Sequence, residues 1–482
     1  MRCRLVLIAG LAFWLAAPAA FAQVPLPPGR DSDRQAVAAG QRLFQMNFAR
    51  PQLHEGEELG AGGNGLGPLF NETSCVACHN QGGVGGGGDR DSNSLLMGVV
   101  ARPKRPANLP AVVRAASEVH PALGPNSIVV PVHRFAVGHP EEVAAYHEFL
   151  EGLWKAFEID PAFEQVTPVR KRIGPATLEL SQRNPAALWG AGTVDRVRLE
   201  GGAEFRRRLA REQPTRHPGI SGRVPRTLQG GEGWFGWRGQ VGSLDQFVRN
   251  ACSLELGLQV TGFPEDQLPV PVSNPDFRAR VEPRLDLTDE QVARLMAFVH
   301  SLPRPEPTAS HDADRTTIER GERVFSRIGC DHCHVKDFAW VKGLYSDMLL
   351  HDMGPQYSDV QIAVPETFVD VVQFNPEGLG YYNMDMSFLT FNEVQSNPEQ
   401  EWKTPALWGV ADSAPYMHDG RAATLDEAIR MHDGEALRAA TAYRNLEQAD
   451  RDLLLAFLGS LKAPASAIPS RSQNLTRQAV AE

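Results

Sequence analysis

Two pentapeptides of the same pattern, Cys-x-x-Cys-His, constrain the fold of this 482-residue chain more than any other feature. The first ends at His79 and the second at His334. Two cysteines at this spacing can bind zinc, form a redox dithiol or attach haem. A zinc site would require the two cysteine pairs to come together in the fold, and a redox dithiol would not require the histidine. A histidine directly after the second cysteine is typical of covalent haem c attachment, in which the thiols bond to the porphyrin and the imidazole binds iron. The predicted residues for two haem c groups are Cys75, Cys78, His79, Cys330, Cys333 and His334.

The other cysteines do not predict a disulfide framework. The chain has six cysteines, of which Cys3 lies in the N-terminal leader and Cys252 stands alone. A chain of this length can bury a core without disulfides. We therefore expect Cys252 to be a small buried apolar residue rather than a redox group.

The N-terminal residues predict export. Arg2 and Arg4 precede an apolar run, and a small-x-small pattern ends at Ala22, as is typical of a cleaved signal peptide over residues 1–22. The apolar run contains Pro18 and is short for a bilayer-spanning helix. The formal net charge of −10 comes without a basic run, which argues against nucleic acid as a partner. We expect a periplasmic protein with no stable membrane insertion.

The two halves of the chain repeat each other, which predicts a mainly α fold of two tandem cytochrome c-like domains. Residues 185–190 recur as 404–409, and residues 295–302 recur as 454–461. The second pair is apolar at helical spacing, so each half should close with a helix that packs on the helix before its pentapeptide. Those opening helices are expected at residues 36–48 and 321–329. The predicted division is a signal peptide (1–22), an N-terminal domain with the first haem (23–303) and insertions around 100–175 and 191–233, a C-terminal domain with the second haem (304–463), and a disordered tail (464–482).

A third repeat makes the two sites unequal. Residues 237–245 match 418–426 in register, and a Ser or Thr followed by Leu-Asp is typical of a helix N-terminus in both. At the same distance along each predicted helix, the second half has His432 and the first has Ala251. If this helix covers the outer face of each haem, the second iron has a distal imidazole and the first keeps an open position. Glu255, one turn beyond Ala251, could then act as acid and base on peroxide.

Other residues leave alternatives open. His351 competes with His432 for the second iron, and a histidine of the first insertion could be the sixth ligand of the first iron. A histidine on a helix is also often a plain surface or core residue, and Glu255 could be a solvated or paired side chain. The insertion histidines are His120, His133, His139 and His147.

Several stretches carry a family resemblance. They include Tyr-Ser-Asp-Met-Leu-Leu-His-Asp-Met-Gly at 345–354 and Pro-Tyr-Met-His-Asp-Gly at 415–420, with further landmarks at 64–79, 181–185, 235–239 and 402–407. The chain resembles the bacterial di-haem oxidoreductases, also labelled thiol oxidoreductases, which are relatives of the di-haem cytochrome c peroxidases and MauG. The resemblance covers nearly all of the chain after the leader. The name thiol oxidoreductase treats the two cysteine pairs as redox dithiols. Covalent haem attachment would use up those thiols.

The resemblance implies roles for several residues. In the peroxidases the N-terminal haem is peroxidatic and the C-terminal haem relays electrons. His432 falls where these enzymes carry the second axial ligand of the relay haem, and Trp237 falls where they have a Trp between the haems. Asn184, Ser413 and Pro415 match the interdomain calcium site of the family, with backbone carbonyls as ligands.

One departure from the family concerns the open haem. The peroxidases place a Gln and then a Glu above it; this chain has Phe247 in the Gln position, and Glu255 lies slightly out of register. The resemblance implies an oxidoreductase, with Glu255 and Trp237 as catalytic residues, that takes electrons from a small cytochrome c or cupredoxin and reduces peroxide or a related small-molecule oxidant. Two alternatives stay open. One is a non-catalytic di-haem electron carrier, and the other is a MauG-like or oxygenase-like enzyme that acts on an organic or protein substrate.

Overall fold

The computed structural model describes residues 31–49, 65–100, 109–121, 123, 129–138, 140–159, 168–227, 230–262, 285–305, 315–360 and 399–469. The predicted signal peptide, His139 and residues 470–482 of the predicted tail lie outside these ranges. Within them helices predominate, in agreement with the predicted fold class. None of the helices there combines the length with the apolar character that a membrane crossing needs.

Helices occur in both halves of the described chain. They are α1 (Asp31–Gln45), α2 (Cys75–Cys78), α3 (Leu109–Val119), α4 (Pro140–Phe157), α5 (Ala191–Val197), α6 (Ala203–Arg216), α7 (Leu244–Leu256), α8 (Asp289–Ser301), α9 (Arg315–Arg327), α10 (Leu425–Met431), α11 (Leu437–Arg444) and α12 (Gln448–Gly459). The strands are β1 (Leu69–Phe70), β2 (Ser94–Val99), β3 (Val129–Val132), β4 (Phe135–Ala136), β5 (Val169–Ile173), β6 (Ala176–Arg183), β7 (Leu350–Asp352) and β8 (Glu401–Lys403).

An antiparallel four-stranded sheet lies in the first half, in the order β3-β2-β6-β5. Met97 of β2 pairs with Val130 of β3 on one side and with Leu180 of β6 on the other. Helices α3 and α4 cover the sheet through buried side chains that include Val112 and Leu153. The sequence predicted an insertion here but no sheet, because the central strand β2 pairs with β6, which lies far away along the chain.

The opening and closing helices of each half cross at a glycine. A Cβ on Gly40 of α1 would lie 1.8 Å from the carbonyl oxygen of Arg294 in α8. A Cβ on Gly321 of α9 would lie 2.1 Å from the carbonyl oxygen of Leu453 in α12. Only a residue without a side chain allows two helix backbones to approach so closely. The predicted packing of closing helix on opening helix is therefore confirmed in both halves, although α1 and α9 begin earlier than expected.

The same aromatic contacts surround each crossing. Phe44 of α1 packs on a phenylalanine of α8 with 5.2 Å between ring centroids, and Phe325 of α9 packs on one of α12 at 5.4 Å. Phe44 also lies 6.4 Å from the ring of His79, and Phe325 lies 6.2 Å from the ring of His334. Each helix pair therefore presents an equivalent aromatic surface to the histidine of its pentapeptide.

The third repeat has the same local structure in both halves. An isolated bridge between Phe235 and Val241 recurs at the corresponding positions of the second half. Ser243 and Thr424 then begin α7 and α10 as N-caps, and each side chain accepts a hydrogen bond from a backbone N–H of the first turn. The predicted helix starts are confirmed, because the cap satisfies an N–H that has no partner within the helix.

The two halves touch through a reciprocal contact of glycine and tryptophan. A Cβ on Gly190 would lie 2.7 Å from the ring of Trp408, and a Cβ on Gly409 would lie 2.8 Å from the ring of Trp189. Both glycines are in the left-handed region, with φ of 73° and 75°, which favours a residue without Cβ. The repeated segments 185–190 and 404–409 therefore pack on each other.

Residues 464–469 begin the predicted tail but lie against the first half. The backbone N–H of Val84 donates to the carbonyl of Ile468 at 2.8 Å. Ile468 also packs on the apolar core of that half. This part of the tail is ordered, in contrast to the expectation, because it contributes an apolar side chain and a backbone hydrogen bond.

Candidate functional site

The first motif forms a short helix that is fixed at both ends; we call its surroundings the first site. The hydroxyl of Ser74 accepts a hydrogen bond from the N–H of Ala77 at 3.2 Å. His79 follows α2 directly, and its Nδ1 lies 3.2 Å from the carbonyl oxygen of Gly86. A hydrogen bond at this position makes Nδ1 the protonated nitrogen and Nε2 the basic one, which is the usual state of a metal-binding imidazole. Loss of solvent lowers the pKa of His79 to about 4, so the ring is neutral at neutral pH.

The second motif repeats this arrangement; we call its surroundings the second site. His334 follows a 3₁₀ turn formed by Cys330–His332. Its Nδ1 lies 3.0 Å from the carbonyl oxygen of Tyr345, which again leaves Nε2 as the basic nitrogen. Loss of solvent and the neighbouring His432 lower the pKa of His334 to about 4.

The four motif thiols are held in the protonated state. Loss of solvent raises the pKa of Cys75 and Cys330 to about 12. It also raises the pKa of Cys78 and Cys333 above the usual value of 9. A thiol oxidoreductase needs a thiolate, which requires a lowered pKa. These surroundings do not suit a dithiol centre.

His432 faces His334 across a gap that fits one metal ion. The two ring centroids are 6.5 Å apart. Metal–imidazole bonds are about 2 Å long, so two imidazoles on opposite sides of one ion would have centroids about 6–7 Å apart. Nδ1 of His432 is 2.7 Å from the carbonyl oxygen of Ala428, and no described residue forms a hydrogen bond with Nε2 of either histidine. The spacing of the pair fits a haem iron that would be bound by two imidazoles.

His432 lies just beyond α10 rather than on it, in contrast to the sequence expectation. The helix ends at Met431, and His432 has φ −59° and ψ 133°. This extended backbone lets the ring turn back to Ala428 in the last helical turn. In the first half, α7 continues through Ala251 as a regular helix.

The competing His351 has both ring nitrogens engaged. Nε2 lies 2.9 Å from a carboxylate oxygen of Asp347, and Nδ1 lies 2.6 Å from one of Glu435. Its Nδ1 is also 3.8 Å from the sulfur of Cys333, and within the described ranges Cys333, Asp347 and His351 are the one group with metal-ligand spacing. His351 would have to give up a carboxylate to bind iron, whereas His432 would give up no hydrogen bond at Nε2.

Glu255 lies near the first motif and is held by two residues that the sequence did not indicate. Its Oε2 accepts hydrogen bonds from Nδ2 of Asn71 at 2.7 Å and from the hydroxyl of Ser94 at 2.8 Å. Loss of solvent raises the pKa of Cys78, and the nearby carboxylates of Glu72 and Glu255 raise it further. The carboxylate is therefore close enough to the attachment cysteine to act on its charge. No motif links Asn71 or Ser94 to Glu255, since all three lie far apart in the sequence.

Apolar side chains of α7, among them Phe247 and Cys252, pack in the same core cluster as Val76 of the first motif. Ala251 is half-buried, and Cys252 is 2% exposed. Loss of solvent raises the pKa of Cys252, so the prediction of a small buried apolar residue is confirmed. Phe247 packs on Phe235 with 6.2 Å between ring centroids. The position that corresponds to His432, just after α10, is therefore occupied in α7 by the methyl group of Ala251.

The described histidines of the first insertion have other neighbours. Nε2 of His133 lies 2.8 Å from the carbonyl oxygen of Leu254, and His120 packs edge-on against Phe149 at 5.2 Å. His147 is exposed on α4. In the described part of the chain, no ring contact joins any of these three to His79.

Trp237 lies where the two halves meet. Its indole N–H donates to the carbonyl of Asn184 at 3.0 Å, and the N–H of Asn184 donates to the carbonyl of His418 at 2.8 Å. His418 is the residue that corresponds to Trp237 in the third repeat. Asn184 therefore bridges equivalent positions of the two halves.

The residues predicted for calcium are only partly brought together. A Cβ on Gly420 would lie 2.9 Å from Pro415 and 3.5 Å from Nδ2 of Asn184, so these two are neighbours. Ser413 directs its hydroxyl to the carbonyl of Gly409 at 2.8 Å. The amide of Asn184 donates to oxygens of Gly88, Asp89 and Asn93 at 3.0, 3.2 and 2.9 Å. These are oxygens of the kind that calcium binds, but the amide nitrogen lies among them, and the calcium site stays a prediction.

A buried stack of aromatic and cationic groups adjoins this contact and was not indicated by any motif. The rings of Trp402 and His418 are 3.6 Å apart and nearly parallel. The guanidinium groups of Arg238 and Arg183 lie 4.1 and 5.1 Å from the Trp402 ring centroid. Arg183 forms a 2.7 Å ion pair with Asp359 and holds the pKa of that carboxyl well below its usual range, although loss of solvent opposes the shift.

The solved structures to which the chain is similar include three of low sequence identity. The chain is similar to "Kuenenia stuttgartiensis Hydrazine Synthase Pressurized with 20 bar Xenon" (20% identity, 42% of this chain and 66% of that one, TM-score 0.25). It is similar to "a MauG-like protein associated with microbial copper homeostasis" (17% identity, 54% and 88%, TM-score 0.27). It is also similar to "the diheme peroxidase BthA from Burkholderia thailandensis E264" (13% identity, 91% and 90%, TM-score 0.32). No curated protein matches the sequence.

A comparison with family profiles is more specific. Residues 391–461 match the family described as "Di-haem oxidoreductase, putative peroxidase". The matched segment contains His418, α10 and His432. The predicted resemblance is thus confirmed in residues 391–461, which carry the sequence signature of the di-haem oxidoreductases.

Proposed function

We propose that the protein is an exported, periplasmic di-haem c-type oxidoreductase that reduces peroxide or a related small oxidant. The observation that carries this proposal is the inequality of the two sites. At the second site His334 faces His432 at 6.5 Å, whereas the first site, at His79, has Ala251 and Glu255 on the corresponding helix. A closed site suits electron transfer, and an open one suits chemistry on a small ligand.

The proposed architecture is two tandem cytochrome c-like domains, the first of them enlarged by insertions. The glycine-centred helix crossings and their phenylalanine pairs support this, because each half surrounds its motif histidine in the same way. The four-stranded sheet and its covering helices would be the insertion that distinguishes the first domain.

Residues of this chain would hold one haem at each motif. Cys75, Cys78 and His79 would hold the first group, and Cys330, Cys333, His334 and His432 would hold the second. When bound, these groups supply redox-active iron that exchanges electrons and, at an open position, binds a small oxidant. The carbonyls that accept from Nδ1 fix each ring and would leave Nε2 free to bind the iron.

Glu255 would move the protons of the reaction. Reduction of hydrogen peroxide to two water molecules takes up two electrons and two protons. The carboxylate would accept a proton from one oxygen of the peroxide and return it to the other oxygen. That second oxygen would then leave as water. The apolar side chains of Phe247 and Ala251 would limit the water around this exchange.

Electrons would come from a small donor protein, a cytochrome c or a cupredoxin. Trp237 lies at the contact between the halves, where a single hydrogen-bonded residue, Asn184, connects it to His418. An indole at this place would shorten the distance that an electron crosses between the two halves.

Spectroscopy of the purified holoprotein tests the proposal. Electron paramagnetic resonance and optical spectra in both oxidation states should show one low-spin haem with two imidazole ligands and one high-spin haem. Rapid mixing of the reduced protein with peroxide should then oxidise it. A protein with no high-spin haem in either state would instead be an electron carrier.

A further inference from the structure

Three separate segments of the first half meet at one oxygen of Glu255. Asn71 lies between β1 and α2, Ser94 is the first residue of β2, and Glu255 is near the end of α7. The amide of Asn71 and the hydroxyl of Ser94 donate to the same oxygen, Oε2, at 2.7 and 2.8 Å. Two hydrogen bonds to one oxygen fix both the position and the plane of a carboxylate.

The orientation of the Asn71 amide follows from its other contacts. Its Oδ1 accepts a hydrogen bond from the backbone N–H of Arg134 at 3.2 Å, so the amide nitrogen must point the other way, towards Glu255. The backbone N–H of Asn71 also donates to the carbonyl of Glu255 at 2.7 Å. Asn71 is 4% exposed, and it therefore connects to Glu255 through both its backbone and its side chain.

The two side-chain donors lie on or beside paired strands. Ser94 pairs with Arg183 in the register of β2 and β6, and Asn71 follows β1, which pairs with β4. The backbone N–H of Asn71 serves the C-terminal end of α7 at the carbonyl of Glu255, but neither side-chain donor caps the helix, whose N-cap is Ser243 and whose C-cap is Gly257. Their common effect is on the Glu255 side chain.

We infer that Asn71 and Ser94 are positioning residues that hold the carboxylate of Glu255 ready to take and return a proton at the first site. This inference rests on the proposed function, because it assigns a task to the same carboxylate. Hydrogen bonds to a charged group contribute more than those between neutral groups, and the loss of an aligned acid–base group costs turnover in addition.

A double-mutant cycle on the holoprotein distinguishes a positioning role of these residues from a general structural role. Ser94→Ala removes one donor and should lower peroxide turnover about 10-fold. Asn71→Asp keeps the acceptor for Arg134 but replaces the donor that faces Glu255, and it should lower turnover at least as much. In a Glu255→Gln background neither change should lower turnover further, because the group that they position is already gone. Ser92→Ala is the matched control: its hydroxyl donates to Asp89 at 2.8 Å, and turnover should stay unchanged.

Cyanide provides a readout without turnover. Hydrogen cyanide must lose its proton when cyanide binds a ferric haem, and the proton would pass to the Glu255 carboxylate. The association rate constant, followed optically, should fall about 10-fold in Ser94→Ala and should be the same in Glu255→Gln with and without that change.

The outcomes separate the two proposals. If Glu255→Gln keeps full turnover, the acid–base role fails and the positioning role fails with it. If Glu255→Gln loses turnover but Ser94→Ala and Asn71→Asp do not, the positioning role alone is overturned. Equal losses in the wild-type and Glu255→Gln backgrounds would show a merely structural role and would also overturn the inference.

Discussion

The hydrogen bonds at Nδ1 determine what each histidine can offer to a metal. His79, His334 and His432 each have a backbone carbonyl at this nitrogen, at 3.2, 3.0 and 2.7 Å. A ring held in this way presents Nε2 in the correct tautomer and direction. His351, with a carboxylate at each nitrogen, has no such atom to offer. The sequence left His351 as a competitor of His432, because the contact that engages Nδ1 of His351 comes from Glu435, which lies far away along the chain.

Replacement of His432 by Gly should open the second site. Because this ring lies opposite His334, its loss should convert a low-spin haem to a high-spin one, visible by electron paramagnetic resonance. His147→Gly, at an exposed position on α4, is the control and should leave both haem signals unchanged. A His432→Gly protein with the wild-type spectrum would rule out His432 as the ligand.

Replacement of Glu255 by Gln should slow peroxide turnover about 10²–10⁴-fold, since the amide keeps the shape of the side chain but cannot exchange the proton. Steady-state kinetics with a reduced donor would measure the loss. Glu148→Gln removes an exposed carboxylate from α4 and should have no effect. Equal rates in the two variants would contradict the assigned role.

Among the helices and strands, repeated patterns were predictable and pairings across long distances were not. The helix starts at Ser243 and Thr424 follow from local cap chemistry, and the helix crossings follow from apolar spacing. The sheet of the first half could not be predicted, because β2 pairs with β6 across the whole of α3 and α4. The end of α10 before His432 was missed because a helix C-terminus has no sequence signature as definite as its N-cap.

Alanine at either crossing glycine should destabilise its half. A new Cβ on Gly40 or Gly321 would meet a backbone carbonyl at 1.8 or 2.1 Å, and the helices would have to separate, at a cost of about 1–3 kcal/mol. Chemical denaturation would measure the change in the free energy of unfolding. Gly152→Ala is the control, because nothing lies within 4 Å of its Cβ position in α4, and it should be neutral or stabilising. A loss at Gly152 as large as that at Gly40 would contradict the explanation.

For the molecule as a whole, buried neutral histidines link stability to pH. Loss of solvent lowers the pKa of His120 to about 3 and that of His133 to about 4, from 6.5 in the unfolded chain. Below about pH 6.5 the unfolded state therefore binds protons that the folded state does not, and stability falls as the pH falls towards 4.

The midpoint of urea unfolding should accordingly decrease between about pH 7 and about pH 5. His120→Phe removes one buried imidazole beside Phe149 and should make this dependence shallower. His147→Phe, at an exposed position, should leave the slope unchanged. Parallel slopes for wild type and His120→Phe would show that this residue does not contribute.

The reciprocal packing of Gly190 on Trp408 and of Gly409 on Trp189 has the form of an interface between two identical subunits. In a two-fold symmetric dimer, each patch contacts the equivalent patch of the other copy, so one contact always occurs twice. The same relation inside one chain is the one that fusion of the two copies of a homodimer would leave. Before fusion every substitution would have altered both sites together. After fusion one copy could keep a histidine at position 432 while the other carried an alanine at 251, and two equal electron carriers could diverge into a donor site and a reaction site.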